Sequence, residues 1–181
     1  IIIDKKILGK ALYLLKLQLD KELLFKLDRI GSYIFIKNID SNNYYDMPMS
    51  IFNIDSDYAY IVYQEIGSKT KSIQHADRLT VRGPYWNGII GEFQLSNIKN
   101  SNVLIIARGM GQSSILIALK KIIRNKNKVF MFLDEGKINS FYCLDYINED
   151  DVDIEKLDLI SHDGKERLKY FIDNNSIDVI L

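Results

Sequence analysis

Val103-Leu104-Ile105-Ile106-Ala107-Arg108-Gly109-Met110-Gly111 decides the fold of this chain. A continuously apolar run passes directly into a glycine turn. Such a run is the pattern of a parallel strand buried on both faces. Downstream, residues 112–124 place Ile115, Ala118, Leu119 and Ile122 at helical spacing, and Arg124 and Lys126, near Asn125 and Asn127, close that helix. Val129–Leu133 is a second buried run. Residues 156–160 read as a third strand, residues 165–173 as a helix with Leu168, Phe171 and Ile172 on one face, and Ile177–Leu181 as a last strand. Strands alternating with helices make βαβ units and a parallel sheet.

Upstream of Asn100-Ser101-Asn102 the pattern changes. Leu15, Leu17 and Leu19 alternate with Lys16 and Gln18, a half-buried strand, although a helix over 11–27 competes because leucine favours it. Gly31 breaks that helix, and Ser32–Ile36 follows as a strand. Asp40-Ser41-Asn42-Asn43 is a turn cluster. Residues 58–66 are rich in β-branched and aromatic side chains and end at Gly67, and Arg78–Arg82 alternates. Short strands between turn signals predict a small antiparallel barrel or sandwich. The expected organisation is therefore an antiparallel domain over 1–98 and an α/β domain over 99–181. The chain opens on Ile1-Ile2-Ile3 and closes on a strand, so it reads as a fragment with its α/β domain incomplete at the C-terminus.

The 181 residues are 47% apolar, which is globular and not disordered. There are 24 basic and 24 acidic side chains and no extended basic block, which argues against a nucleic-acid partner. The single cysteine, Cys143, excludes an internal disulfide and cannot alone ligate an iron–sulfur cluster. It reads as a packed small hydrophobe in a reducing compartment. With no long apolar run and no signal peptide, the expectation is a cytoplasmic protein without a membrane partner.

Gly109-Met110-Gly111 joins a strand to a helix. Glycine there permits close approach of backbone to phosphate, and the helix N-terminus favours an anion. The third glycine of the common dinucleotide fingerprint is absent, with Ser114 in its place, and a tight turn holding no ligand gives the same pattern. Asp134 and Glu135 follow the second buried run. An acid there accepts hydrogen bonds from an adenosine ribose and repels a 2′-phosphate, which points to NAD over NADP; a solvated acidic turn is the alternative.

Further motifs stand in order along the chain: Met47-Pro48-Met49-Ser50-Ile51, Gly67-Ser68-Lys69-Thr70, and Gly83-Pro84-Tyr85-Trp86-Asn87-Gly88. With Ala107-Arg108-Gly109-Met110-Gly111 they resemble, in order and spacing, the ferredoxin reductase superfamily. The electron-transfer subunit of dihydroorotate dehydrogenase and its clostridial relatives are the most similar members. The resemblance covers nearly the whole chain. It implies an antiparallel Greek-key flavin-binding barrel followed by a parallel-sheet nucleotide-binding domain, with hydride passing from NAD(P)H to FAD and electrons then to a partner redox centre. It assigns FAD to Pro48, Met49, Ser50, Ile51, Gly67, Lys69, Thr70, Gly83 and Pro84. It assigns NAD(H) to Arg108, Gly109, Met110, Gly111, Gln112 and Asp134. The implied partner is an electron-acceptor or dehydrogenase subunit. The four-cysteine iron–sulfur segment of the dihydroorotate-type subunit is absent, so any such cluster lies outside this sequence.

The chain departs from the family at telling places. Met47 stands where the family has an arginine for the flavin phosphate, and Asp46 beside it has the wrong sign. Lys69, Trp86 and Arg108 each replace a glycine. Lys69 is the expected substitute cation, with a surface lysine in a loop as the alternative. A nucleotide-binding regulatory or scaffold protein that has lost flavin is the competing function. An unrelated α/β enzyme would leave the Gly83–Gly88 segment unexplained. His75 and His162 lack metal-ligand spacing and read as surface or capping residues. Asp150-Asp151-Val152-Asp153 lacks the glycine and glutamate of a calcium loop and reads as solvated. Ser113 and Ser114 form no nucleophile elbow. Tyr44 and Tyr45 are candidates to flank a flavin adenine.

Overall fold

The computed structural model describes residues 1–40 and 45–181. Ser41, Asn42, Asn43 and Tyr44, which carry most of the expected turn and one of the two candidate tyrosines, lie outside the described residues. The chain divides into two compact units, Ile1–Glu92 and Phe93–Leu181. No helix among the described residues is long and apolar enough to cross a membrane.

The first unit contains β1 (Ile2–Gly9), β2 (Leu12–Gln18), α1 (Lys21–Leu27), β3 (Tyr33–Asn38), β4 (Met47–Ser50), β5 (Asn53–Ile54), β6 (Tyr58–Gln64), α2 (Ser68–Ile73) and β7 (Leu79–Tyr85). Its strands form two antiparallel sheets, a 4-stranded one in the order β1-β2-β6-β5 and a 3-stranded one in the order β4-β3-β7. The arrangement is barrel-like, as expected, and among the described residues strand pairing does not close it.

The competing readings of 11–27 each hold for part of that stretch. Leu12, Leu15 and Leu17 are buried in β2, and the strand ends at Gln18. Asp20 then accepts a 2.8 Å hydrogen bond from the Leu23 N–H and starts α1, satisfying a donor the helix cannot satisfy itself. In β3 the alternation is complete: Ile34 and Ile36 are buried, while Tyr33, Phe35 and Lys37 face outward. β7 continues beyond the alternating run Arg78–Arg82, through Gly83 and the cis Gly83–Pro84 peptide, to Tyr85. Gly31, at φ +73, and Gly88 make a backbone contact: the Gly88 N–H donates to Gly31 O at 3.1 Å. A Cβ on Gly88 would stand 2.5 Å from that oxygen, so both positions require glycine.

The second unit takes in most of α3 (Glu92–Asn97), then β8 (Asn102–Arg108), α4 (Leu116–Arg124), β9 (Lys128–Asp134), β10 (Asp153–Lys156), α5 (His162–Asn174) and β11 (Val179–Ile180). The sheet order is β10-β9-β8-β11 and every pairing is parallel. Leu168, Phe171 and Ile172 of α5 pack on Leu104, Phe130 and Phe132, with the Phe171 ring 4.8 Å from that of Phe132. α4 buries Leu116, Ala118, Leu119 and Ile122. Asn125 and Asn127 donate to Ser96 O and Ile98 O, each at 3.0 Å, tying the end of α3 to this unit.

Two sequence expectations are corrected here. The third strand is Asp153–Lys156, not 156–160. Asp158 bends the chain, accepting from the Ile160 N–H on its side chain and from the Ser161 N–H on its carbonyl. The helix after the glycine turn starts at Leu116, not 112. Gly109–Ser114 is a tighter 3-10 turn, with Gln112 buried beneath it.

Candidate functional site

The outer face of the β4-β3-β7 sheet carries a cluster of aromatic rings. Cross-strand register places Pro48, Phe35 and Arg82 in one row, and Ser50, Tyr33 and Tyr85 in the next. The Tyr33 and Tyr85 rings stack at 5.3 Å with 25° between planes, and Phe35 meets Tyr85 edge-on at 88°. A depression of about 430 Å³ lies over Tyr33, Phe35, Pro48, Met49 and Ser50, bordered by Asn87 and Gly88. Tyr33 Oη donates to Asn87 Oδ1 at 2.9 Å, holding the amide at the rim. An apolar floor with few polar groups at its edge suits a planar heteroaromatic ring such as a flavin's.

One position along β4, the environment reverses. Met47 pairs with Ile36 and is 7% exposed, so it points into the core. The side chain at the position of the resembling family's phosphate-pairing arginine is therefore turned away from the outer face. Arg82 stands on the outer face instead. Its Nη2 is 3.0 Å from Asp46 Oδ2, and its guanidinium carbon lies 4.8 Å from the Phe35 ring centroid.

The other expected flavin contacts are distributed differently. Pro48, Met49 and Ser50 line the depression, but Ile51 is core, 2% exposed, with its N–H donating to Ser32 O. Gly67-Ser68-Lys69-Thr70 is not a loop but the start of α2. Thr70 Oγ1 accepts from the N–H groups of Ile66 and Gly67 and donates to Gly67 O, so the hydroxyl serves its own helix start. Lys69 Nζ sits 5.1 Å from the Tyr45 ring centroid. Gly83 packs in β7, where a Cβ would meet Ile34 Cγ2 at 3.1 Å, and Pro84 follows it in the strand. Trp86 donates from Nε1 to Lys26 O at 2.9 Å and lies under Arg29, which fastens this segment to α1. Tyr33 and Phe35, which line the same depression, are not among the residues expected from the sequence. Their signal was the alternation that turns aromatics outward while Ile34 and Ile36 turn in.

In the second unit, a depression of about 500 Å³ opens at the C-terminal ends of β8, β9 and β10, bordered among others by Arg108, Glu135, Lys137, Phe141, Lys156 and Asp158. That end of a parallel sheet is where open α/β folds bind ligands. Gly109 takes φ +53, and a Cβ at Gly111 would meet nothing within 4 Å, so Gly111 presents open backbone. Gln112 is turned inward, donating to Ser140 O at 3.0 Å and to Asp134 O at 3.4 Å. Ser113 Oγ donates to Met110 O at 2.8 Å, bracing the turn from within.

Asp134 is also engaged by the chain. Its Oδ2 accepts from Arg108 Nε at 2.8 Å and from the Leu159 N–H at 3.0 Å, and its Oδ1 accepts from the Gly136 N–H at 2.6 Å. Burial pushes its pKa up, but the bonds from Gly136, Arg108 and Leu159 outweigh that and hold it below the ordinary carboxylate value. Glu135, next along, is exposed. Cys143 is buried, and burial pushes its thiol up to about 12. His75 and His162 are both exposed, and no group of three or more His, Cys, Asp or Glu among the described residues could hold a metal.

No protein-family profile matches the sequence, and no curated protein does. Solved structures do match. The NADH-dependent reduced ferredoxin-NADP oxidoreductase studied for flavin-based electron bifurcation superposes with a TM-score of 0.76 at 16% identity, over 99% of this chain and 65% of that one. The ferredoxin reductase of carbazole 1,9a-dioxygenase gives 0.67 at 16% identity, over 89% and 51%. A mutant ferredoxin-NADP+ reductase from Plasmodium falciparum gives 0.69 at 14%, over 99% and 83%. The chain thus has a ferredoxin reductase-like fold, and it spans less than two thirds of the length of the first two of these proteins.

Proposed function

We propose that this chain, with its ferredoxin reductase-like fold, is a flavin-dependent, NAD(P)H-linked electron-transfer module, its first unit seating FAD and its second a nicotinamide nucleotide. The observation that carries the reading is the aromatic depression on the β4-β3-β7 face, edged by Pro48, Met49 and Ser50. When bound, a flavin supplies the redox chemistry, accepting hydride from a reduced nicotinamide and releasing electrons one at a time.

The chain's own residues supply placement. Tyr33 and Phe35 line the floor, and the stacking of Tyr33 on Tyr85 holds it rigid, so little side-chain entropy is lost on binding. Ser50 and Asn87 provide hydroxyl and amide groups at the edge for a ring with polar nitrogens and carbonyls. The open backbone at Gly111 and the cationic side chains of Lys137 and Lys156 suit a dinucleotide phosphate. The proposed electron acceptor is a partner redox centre, a dehydrogenase or acceptor subunit; the one cysteine of this sequence, Cys143, is buried and cannot alone hold a cluster.

A second reading, a regulatory or scaffold subunit that retains the fold without flavin, draws on the burial of Met47. The two separate by mixing the FAD-reconstituted chain anaerobically with NADH or NADPH and following the flavin absorbance. Bleaching within a few turnovers supports electron transfer. A flavin that stays oxidised in excess of both nucleotides rules that function out.

A further inference from the structure

We propose that Arg82, held by Asp46 over the ring of Phe35, is the residue that receives the phosphate of a flavin nucleotide seated on the β4-β3-β7 face. The inference rests on the flavin reading above and adds to it the group that distinguishes flavin nucleotides from riboflavin.

Three observations converge on Arg82. It shares a cross-strand row with Phe35 and Pro48, both of which line the aromatic depression. Its guanidinium is pre-oriented, resting on the Phe35 ring at 4.8 Å and joined to Asp46 at 3.0 Å, so little side-chain freedom is lost when an anion binds. It is still 60% exposed, and a guanidinium carries several N–H donors, so the single Nη2 contact to Asp46 leaves capacity for a phosphate.

The competing cations on this unit are placed less well. Lys37 lies opposite Thr80, one row beyond Phe35. Lys69 sits on α2 against Tyr45, which is itself 66% exposed. Asp46 plays an opposing part: it orients Arg82 but repels an arriving phosphate. Its removal and the removal of Arg82 therefore act in opposite directions, a pattern that a merely structural ion pair does not produce.

The test compares FAD, FMN and riboflavin binding, by calorimetry, to the parent chain and to Arg82→Ala, Arg82→Lys, Asp46→Asn and Lys69→Ala. Arg82→Ala should weaken FAD and FMN about tenfold and leave riboflavin unchanged. Arg82→Lys should recover part of the loss, and Asp46→Asn should bind FAD a few-fold more tightly. Lys69→Ala should match the parent. Because Arg82→Lys and Asp46→Asn keep the size of the side chains, they carry the test even if Arg82→Ala fails to fold. If the parent prefers FAD to riboflavin and the Arg82 variants keep that preference, the assignment to Arg82 is wrong while the flavin reading stands. If Lys69→Ala abolishes it, the cation is Lys69. If the parent binds no flavin, both fail.

Discussion

Arg108 and Asp134 face each other at the C-terminal ends of adjacent parallel strands, with Arg108 Nε donating to Asp134 Oδ2 at 2.8 Å. The carboxylate also takes the backbone N–H groups of Gly136 and Leu159, so it fastens the β9 turn to the segment after β10. An arginine in place of a family glycine here is thus part of a structural clamp.

That clamp gives a stability prediction with a pH signature. Asp134→Asn should cost about 1–3 kcal/mol, since two backbone donors and a guanidinium lose an ionised acceptor. The folded pKa of Asp134 lies below the ordinary 3.8, so its contribution is present above that value and is lost as pH falls through the lower folded value. Urea unfolding of parent and variant should show a gap that is widest near neutrality and narrows in acid. A gap that does not change with pH would mean that the charge of Asp134 contributes nothing.

With Asp134 occupied, we predict that discrimination between NADH and NADPH falls to Glu135, exposed on the same turn. We expect NADH to reduce the bound flavin faster than NADPH, and Glu135→Gln to narrow the difference by weakening repulsion of a 2′-phosphate. Stopped-flow rates with each nucleotide decide it. Parent rates that are equal, or faster with NADPH, would show that Lys137 and Lys156 govern the pocket instead.

The contact of Gly31 with Gly88 predicts an intolerant position. Gly88→Ala should destabilise the chain by about 1–3 kcal/mol, because a methyl group 2.5 Å from Gly31 O forces backbone movement. It should also displace Asn87 and weaken flavin binding. Gly67→Ala is the matched control: a Cβ there meets nothing within 4 Å, and the cost should stay below about 1 kcal/mol. Equal thermal shifts for the two variants would contradict this account.

Much of this was legible in the residues. The continuous apolar runs Val103–Ala107 and Val129–Leu133 declare the parallel sheet, because a strand covered on both sides has no polar face to show. Pro48, Met49 and Ser50, expected from the motif, line the depression on the β4-β3-β7 face. What was hidden depends on long-range pairing. Register, not composition, turns Met47 into the core and sets Arg82 beside Phe35 from a distant strand. The Asp134 carboxylate looked available because its partners, Arg108 and the Leu159 N–H, lie about 25 residues away on either side. The Gly67–Thr70 segment reads as a loop because its threonine caps the helix start through its own backbone neighbours, a pattern that short polar stretches share with loops. Alternation reports which face of a strand is buried and not whether the last strand finds the first, so the antiparallel domain was legible but the extent of its strand pairing was not.

The central claim is that the β4-β3-β7 face binds a flavin. Titrating the parent chain with FAD and, alongside it, Tyr33→Ala in one calorimetric experiment tests it most directly. The account predicts one FAD per parent chain, a shifted visible flavin spectrum on binding, and at least about tenfold weaker binding once the Tyr33–Tyr85 stack is broken. No binding heat and an unshifted spectrum with the parent, or undiminished binding by Tyr33→Ala, would contradict it.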